Sequence, residues 1–237
     1  MIVTRRWFVP SLAAPLFAQS GRDVFLLTGQ SNMAGRGVVE AQDKLPLPGI
    51  SVFTKEKAWA PAIDPLHFDK PAIVGVGLGR SFAVTVQKQD GLKEVGLVPA
   101  AFGGSSLQEW SPGGAHFTNA AERTKAAGGT LRGILWHQGE ADSSAGLDST
   151  YAERWLLVMK ALRKEVGDVP IVVGELGQCK PNYHAVSEQL ASLVVQLPRV
   201  AFVSSSGLKA KEDGIHFDSA SLREFGRRYA HAWLMLR

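Results

Sequence analysis

From Asp23 to the C-terminus, short unbroken apolar runs alternate with longer segments whose apolar residues recur at helical spacing. This alternation constrains the fold more than any other feature. A run of four to eight apolar residues bounded by turn residues reads as a strand buried on both faces. Such strands, separated by helices, build a parallel sheet with helices on each side. Six runs fit: Val24–Thr28, Ile50–Thr54, Glu94–Ala101, Gly133–Trp136, Ile171–Gly174 and Val200–Ser204. Tyr151, Trp155, Val158, Met159, Leu162 and Val166 share one helical face, and Val186, Leu190, Leu193, Val194 and Leu197 share another. The last helix aligns Leu222, Phe225, Tyr229, Trp233 and Leu236. Shorter helices are expected around Ser81–Gln87 and Asn119–Ala126. The fold class is therefore α/β, a three-layer α/β/α sandwich around a central parallel sheet. In such folds ligands bind at the carboxyl ends of the strands, so polar motifs that directly follow apolar runs carry the most weight.

Composition narrows the function. The chain has 237 residues, 45% of them hydrophobic and 20% charged, enough to bury one sizeable core. No repeat, linker or charge block splits it, so residues 21–237 read as a single domain. A single cysteine excludes an internal disulfide framework and any multi-cysteine metal site. The 26 Lys and Arg against 22 Asp and Glu are scattered, which gives little reason to propose nucleic-acid binding.

Residues 1–20 stand apart. Arg5 and Arg6 precede a short apolar stretch, Trp7 to Phe17, and Ala18-Gln19-Ser20 follows as a small-x-small pattern. This is the layout of an export signal, and Arg5-Arg6 resembles a twin-arginine motif. The apolar run is too short to span a bilayer, which takes about 20 residues. The expectation is export to the periplasm or the exterior after cleavage near residue 20.

Four polar motifs follow apolar runs. Gly29-Gln30-Ser31-Asn32-Met33 leaves the first, placing Ser31 where free backbone N–H groups favour negative charge. Gly103-Gly104-Ser105-Ser106-Leu107-Gln108-Glu109-Trp110 leaves the third, and paired glycines let a backbone approach a ligand closely. Trp136-His137-Gln138-Gly139-Glu140-Ala141-Asp142 leaves the fourth, and a glutamine amide is a suitable oxyanion donor. Asp213-Gly214-Ile215-His216 lies between the sixth run and the last helix, with an acid three residues before a histidine. Each motif alone also reads as an ordinary turn or helix cap. Together they bring a nucleophile, a base, an orienting acid and oxyanion donors to one sheet edge.

In this order, GQSNM, GGSSLQEW, WHQGEAD and DGIHF resemble the SGNH (GDSL-like) hydrolases. Within them they resemble the sialate O-acetylesterase-like domains and the family 6 carbohydrate esterases, which include acetyl xylan esterases. The resemblance spans roughly Asp23 to the C-terminus. It implies a flavodoxin-like sandwich and removal of acetyl groups from carbohydrate without metal or other cofactor. Matched motif by motif, Ser31 is the nucleophile, and Asp213 and His216 are the acid and base. The oxyanion hole takes the N–H groups of Ser31 and Gly104 and the side chain of Gln138, with Gly103 the alternative to Gly104. Asn32 and Glu140 support the site. Ser105 stands where many relatives have threonine. Sialate O-acetyl esters are an alternative substrate, and a non-catalytic carbohydrate-binding module on this fold is an alternative of another class.

Several look-alikes are set aside. Asp64-Pro65-Leu66-His67 is a second Asp-x-x-His, but it precedes a helix instead of following the last strand. Gly75 to Arg80 fails as a dinucleotide fingerprint because Arg80 takes the third-glycine position. Ser206-Gly207-Leu208-Lys209 lacks the partner motifs of β-lactamases, and Met33 breaks a GxSxG elbow at Ser31. Cys179 reads as a bystander. Trp110 is expected to stack on a sugar, with Trp59 as a second candidate, while Trp136 packs in the core.

Overall fold

The computed structural model describes residues 21–144 and 146–237. The expected export segment, residues 1–20, lies outside the described residues. Seven strands form one sheet: β1 (Asp23–Gly29), β2 (Ile50–Phe53), β3 (Trp59–Pro61), β4 (Val95–Pro99), β5 (Thr130–His137), β6 (Ile171–Gly174) and β7 (Val200–Val203), in the order β3-β2-β4-β1-β5-β6-β7. β1 is central and pairs in parallel with β4 and β5, with Leu27 opposite Pro99 and Gly29 opposite His137. This register brings the exits of β1, β4 and β5 level, so the loops after them meet at one edge. The chain order reverses at β1, the switch point at which such sheets open a crevice.

The sheet departs from the expected all-parallel form at one edge. β3 pairs antiparallel with β2 through Val52 and Ala60. Three residues ending in proline carry too little pattern to read as a strand, and proline is tolerated only because β3 is an edge.

The helices are α1 (Ser31–Ala34), α2 (Gly79–Asp90), α3 (Ala115–Ala127), α4 (Glu140–Ser144), α5 (Tyr151–Val166), α6 (His184–Gln196) and α7 (Ser219–Leu234). They cover both faces. On one face Trp155, Met159, Leu162, Leu190 and Leu193 from α5 and α6 pack with Phe117 of α3 on Leu26, Ile134 and Val173. On the other, Phe82 of α2 and Phe225, Tyr229 and Trp233 of α7 pack on Phe25, Leu27 and Leu135. Val194 lies on the rim of the α6 stripe and is 43% exposed, so it contributes less than its spacing suggests. Strands buried on both faces explain why the sequence runs are continuous and not alternating. Among the described residues no helix is long and apolar enough to cross a membrane.

Candidate active site

The turn that carries Ser31 is set by the close approach of β5. Gly29 has φ +121°, and a Cβ there would stand 2.0 Å from the carbonyl oxygen of His137. That carbonyl accepts the N–H of Gln30 at 2.8 Å. The chain then turns into α1, whose first residue is Ser31, and among the described residues the Ser31 N–H donates to no backbone carbonyl.

The loop between β7 and α7 brings His216 over this turn. His216 Nε2 lies 3.0 Å from Ser31 Oγ, and His216 Nδ1 lies 2.8 Å from Asp213 Oδ2. Gly214, at φ +64°, lets the chain fold back so that Asp213 Oδ1 also accepts the N–H groups of Ile215 and His216, at 2.8 and 2.9 Å. Partial burial would raise the Asp213 carboxyl, but these two N–H groups and the imidazole outweigh it and pull it down to about 2. An ionised Asp213 can only accept. Nδ1 therefore carries the proton, and Nε2 presents its lone pair to the Ser31 hydroxyl.

Asn32 locks the Ser31 turn to this loop and to the loop after β5. Its Oδ1 accepts the Phe217 N–H at 3.1 Å, and its Nδ2 donates to Ile215 O at 3.2 Å and to Glu140 Oε1 at 2.7 Å. Glu140 is buried, and burial alone would raise its carboxyl. His137, whose Nε2 lies 3.4 Å away, and the Asn32 amide bring it below the ordinary value. Glu140 thus meets Asn32 and His137. Cys179 lies nearby, its Sγ 3.1 Å from the carbonyl oxygen of Gly214.

The two glycines of the second motif are not equivalent. The Gly103 N–H donates to Asp69 Oδ2 at 2.8 Å. Gly104, at φ +82°, is exposed, and among the described residues its N–H has no backbone acceptor. Of the two, Gly104 is the candidate donor to an oxyanion, since the N–H of Gly103 is taken.

Two expectations are corrected. Gln138 is fully buried and both hydrogens of its amide are taken, by Ser105 O at 3.1 Å and Asp142 Oδ2 at 2.6 Å, while its Oε1 accepts from the Tyr151 hydroxyl. It ties the glycine loop to α4 and offers no free donor to an oxyanion hole. Trp110 does not present a face for sugar stacking. It is fully buried, its Nε1 donates to Ser105 Oγ at 2.9 Å, and its ring meets Trp136 edge-on. A short 3-10 turn over Leu107–Trp110 rolls the indole into the core. Trp59 packs between Phe53 and Arg22 near Gly96, at the opposite end of the strands from Ser31. The exposed aromatic at the glycine loop is Phe102, 39% exposed and stacked on His116.

The second Asp-x-x-His pair is also buried, and among the described residues neither member hydrogen-bonds Ser31. Burial drives Asp64 up to about 7 and His67 down to about 4. What sequence reasoning missed lies beside it. Asp69 bridges the glycine loop to Arg36, just after α1, at 2.6 Å. No motif spacing marks that pair, because its members act through a backbone N–H 34 residues away.

Ser31, His216 and Asp213 thus stand in a hydrogen-bonded row at the carboxyl edge of the sheet, and the fold that carries them is that of the SGNH hydrolases. Residues 21–235 match the family model of the carbohydrate esterases described as sialic acid-specific acetylesterases, and the chain belongs to that family. A probable carbohydrate esterase of Arabidopsis thaliana is 30% identical over 249 residues, covering 95% of this chain and 94% of that protein. A crystal structure of an Arabidopsis thaliana protein, 28% identical, superposes with a TM-score of 0.83 over 91% of this chain and 98% of that one. NanS, at 16% identity, shares the fold with a TM-score of 0.75 over 93% and 98% of the two chains. A carbohydrate acetylesterase from Xanthomonas citri, at 18% identity, does so with a TM-score of 0.62 over 90% of this chain and 56% of that one.

Proposed function

We propose that the protein is a serine esterase that releases acetate from O-acetylated carbohydrate through an acetyl-serine intermediate. The observation that carries this reading is the row from Ser31 Oγ through the His216 imidazole to Asp213, at 3.0 and 2.8 Å. His216 Nε2 takes the hydroxyl proton as Ser31 Oγ bonds to the acetyl carbonyl carbon. The carbonyl oxygen becomes an oxyanion facing the N–H groups of Ser31 and Gly104, and each such donor is worth roughly a hundredfold or more in rate. Collapse breaks the bond to the sugar oxygen, which takes the proton from His216. Water, deprotonated by the same imidazole, then cleaves the acetyl-serine and frees acetate. Asp213 holds the ring and offsets its charge while it is protonated.

The first test is turnover of p-nitrophenyl acetate by the wild type and Ser31→Ala, with a fluorophosphonate probe to identify the labelled serine. The expected result is activity that falls by about a thousandfold or more in the variant, and label on Ser31. Absence of hydrolysis, with carbohydrate still bound, would favour a binding module. Acetylated xylan, acetylated monosaccharides and O-acetyl sialic acid then compare substrates. The match to a sialic acid-specific family supports the last of these as the second reading.

Export belongs to the same proposal and rests on Arg5, Arg6 and the Trp7–Phe17 stretch. Mass spectrometry of protein from the native host should find a mature N-terminus near Gly21, and an intact Met1 on cytoplasmic protein would reject it.

A further inference from the structure

We propose that the buried Arg36–Asp69 ion pair is a positioning device that holds the oxyanion donor at Gly104. The proposal rests on the esterase reading of Ser31. Three segments meet at the Asp69 carboxylate. Arg36 leaves α1 two residues after its last turn and donates to Oδ2 from Nη2 at 2.6 Å. Gly103 donates its backbone N–H to the same oxygen at 2.8 Å. Asp69 itself sits in the connection that carries the unused Asp64 and His67. The two side chains are 3% and 1% exposed, so water does not compete for the contact.

Geometry makes this a brace for the loop. Arg36 is itself pinned, since its Nη1 donates to Gly35 O at 2.8 Å and its carbonyl accepts Lys211 Nζ at 2.9 Å. The nucleophile turn and the glycine loop are thereby tied to one buried point. With the N–H of Gly103 held on Asp69, the next peptide turns the opposite way, and Gly104, at φ +82°, keeps its own N–H for the substrate. Gly103 has no room for a side chain, because a Cβ would stand 2.2 Å from Arg36 Nη2 and 2.9 Å from Asp69 Oδ2. Its φ is not in the left-handed region. Contact with the pair, not backbone conformation, therefore demands glycine here. A shift of about 1 Å in an oxyanion donor can cost roughly a hundredfold in rate.

The test uses two variants that perturb the brace differently. Asp69→Ala removes the carboxylate, and Gly103→Ala keeps the ion pair but wedges the loop away from it. In folded protein each should lower kcat on p-nitrophenyl acetate tenfold or more, with KM within about threefold. Affinity for a boronic acid that mimics the tetrahedral intermediate should fall in proportion to kcat. Asp69→Asn, whose amide oxygen can still accept the Gly103 N–H, should recover part of the kcat lost in Asp69→Ala. Amide exchange gives a readout independent of activity: the Gly103 amide, protected in the wild type, should exchange faster in Asp69→Ala. A wild type without esterase activity but with that exchange pattern would refute the esterase reading and the oxyanion role with it, leaving only a loop anchor. Activity with unchanged kcat in both alanine variants, or a rise in KM alone, would overturn the brace while leaving the esterase standing.

Discussion

The Asn32 side-chain carbonyl accepts the Phe217 N–H at 3.1 Å, joining the turn that carries Ser31 to the loop that carries His216. The contact spans 185 residues of sequence, and both ends are buried. A side chain that touches neither atom thus helps to hold Ser31 Oγ and His216 Nε2 at hydrogen-bond distance. Asn32→Ala should lower kcat about ten- to a hundredfold with KM little changed, since a nucleophile and base held apart lose alignment before affinity. Steady-state kinetics on p-nitrophenyl acetate reads this. Unchanged kcat in folded Asn32→Ala would show that the loop is placed by other contacts.

The two Asp-x-x-His pairs have identical spacing, and only their surroundings separate them. His216 lies at hydrogen-bond distance from Ser31, whereas His67 is buried and held neutral by desolvation. His216→Ala should cost about as much activity as Ser31→Ala, because members of a triad act as a unit. His67→Ala should change kcat by less than about tenfold and act mainly on stability, through the space it leaves in the core. A folded His67→Ala that is inactive, beside an active His216→Ala, would reassign the base.

Much of this arrangement was legible in the sequence because strands buried on both faces write themselves as continuous apolar runs. The exits of those runs named Ser31, the glycine pair, Glu140, Asp213 and His216. Orientation was not legible. Gln138 and Trp110 sit in motifs at the correct sheet edge, yet each side chain turns into the core, where Ser105 satisfies its polar group. Sequence position fixes the loop but not the rotamer within it. β3 was hidden because three residues cannot establish an alternation. Asp69 was hidden because its partners are a backbone N–H and an arginine that share no spacing rule with it.

Asp64 gives the fold a pH dependence whose sign is fixed by its burial. Desolvation raises its carboxyl to about 7, against the pull of Arg80 at 3.9 Å and with the push of Asp43. Between pH 4 and pH 7 the unfolded chain gives up a proton that the folded chain retains. Asp64 therefore lowers stability as pH rises through that window, by about 1.4 kcal/mol per pH unit at most. Asp64→Asn should remove this slope. Thermal melts of wild type and variant at pH 5 and pH 8 should show the variant gaining more at pH 8. An equal difference at both values would mean that Asp64 ionises in the folded state as it does in the unfolded chain.

Gln138 separates a donor that acts on the oxyanion from one that holds the scaffold. Its two amide hydrogens go to Ser105 O and Asp142 Oδ2, and its Oε1 accepts from Tyr151. Gln138→Ala removes all three contacts in a fully buried setting. Asp142 keeps the Leu107 N–H and Arg154, and the Tyr151 hydroxyl keeps the Gln138 carbonyl, so the orphaned groups are few. Leaving such groups short of partners costs about 1–3 kcal/mol. For a chain of this size that lowers the melting temperature by roughly 2–4 °C per kcal/mol. An oxyanion donor would behave differently: its loss costs about a hundred- to a thousandfold in kcat with stability unaffected. The expected result is a clear drop in melting temperature with a smaller loss of kcat, transmitted through the Ser105 loop to Gly104. A Gln138→Ala enzyme that melts like the wild type and has lost about a hundredfold or more in kcat would return the amide to the oxyanion hole, with a rotamer change on substrate binding to bring it there.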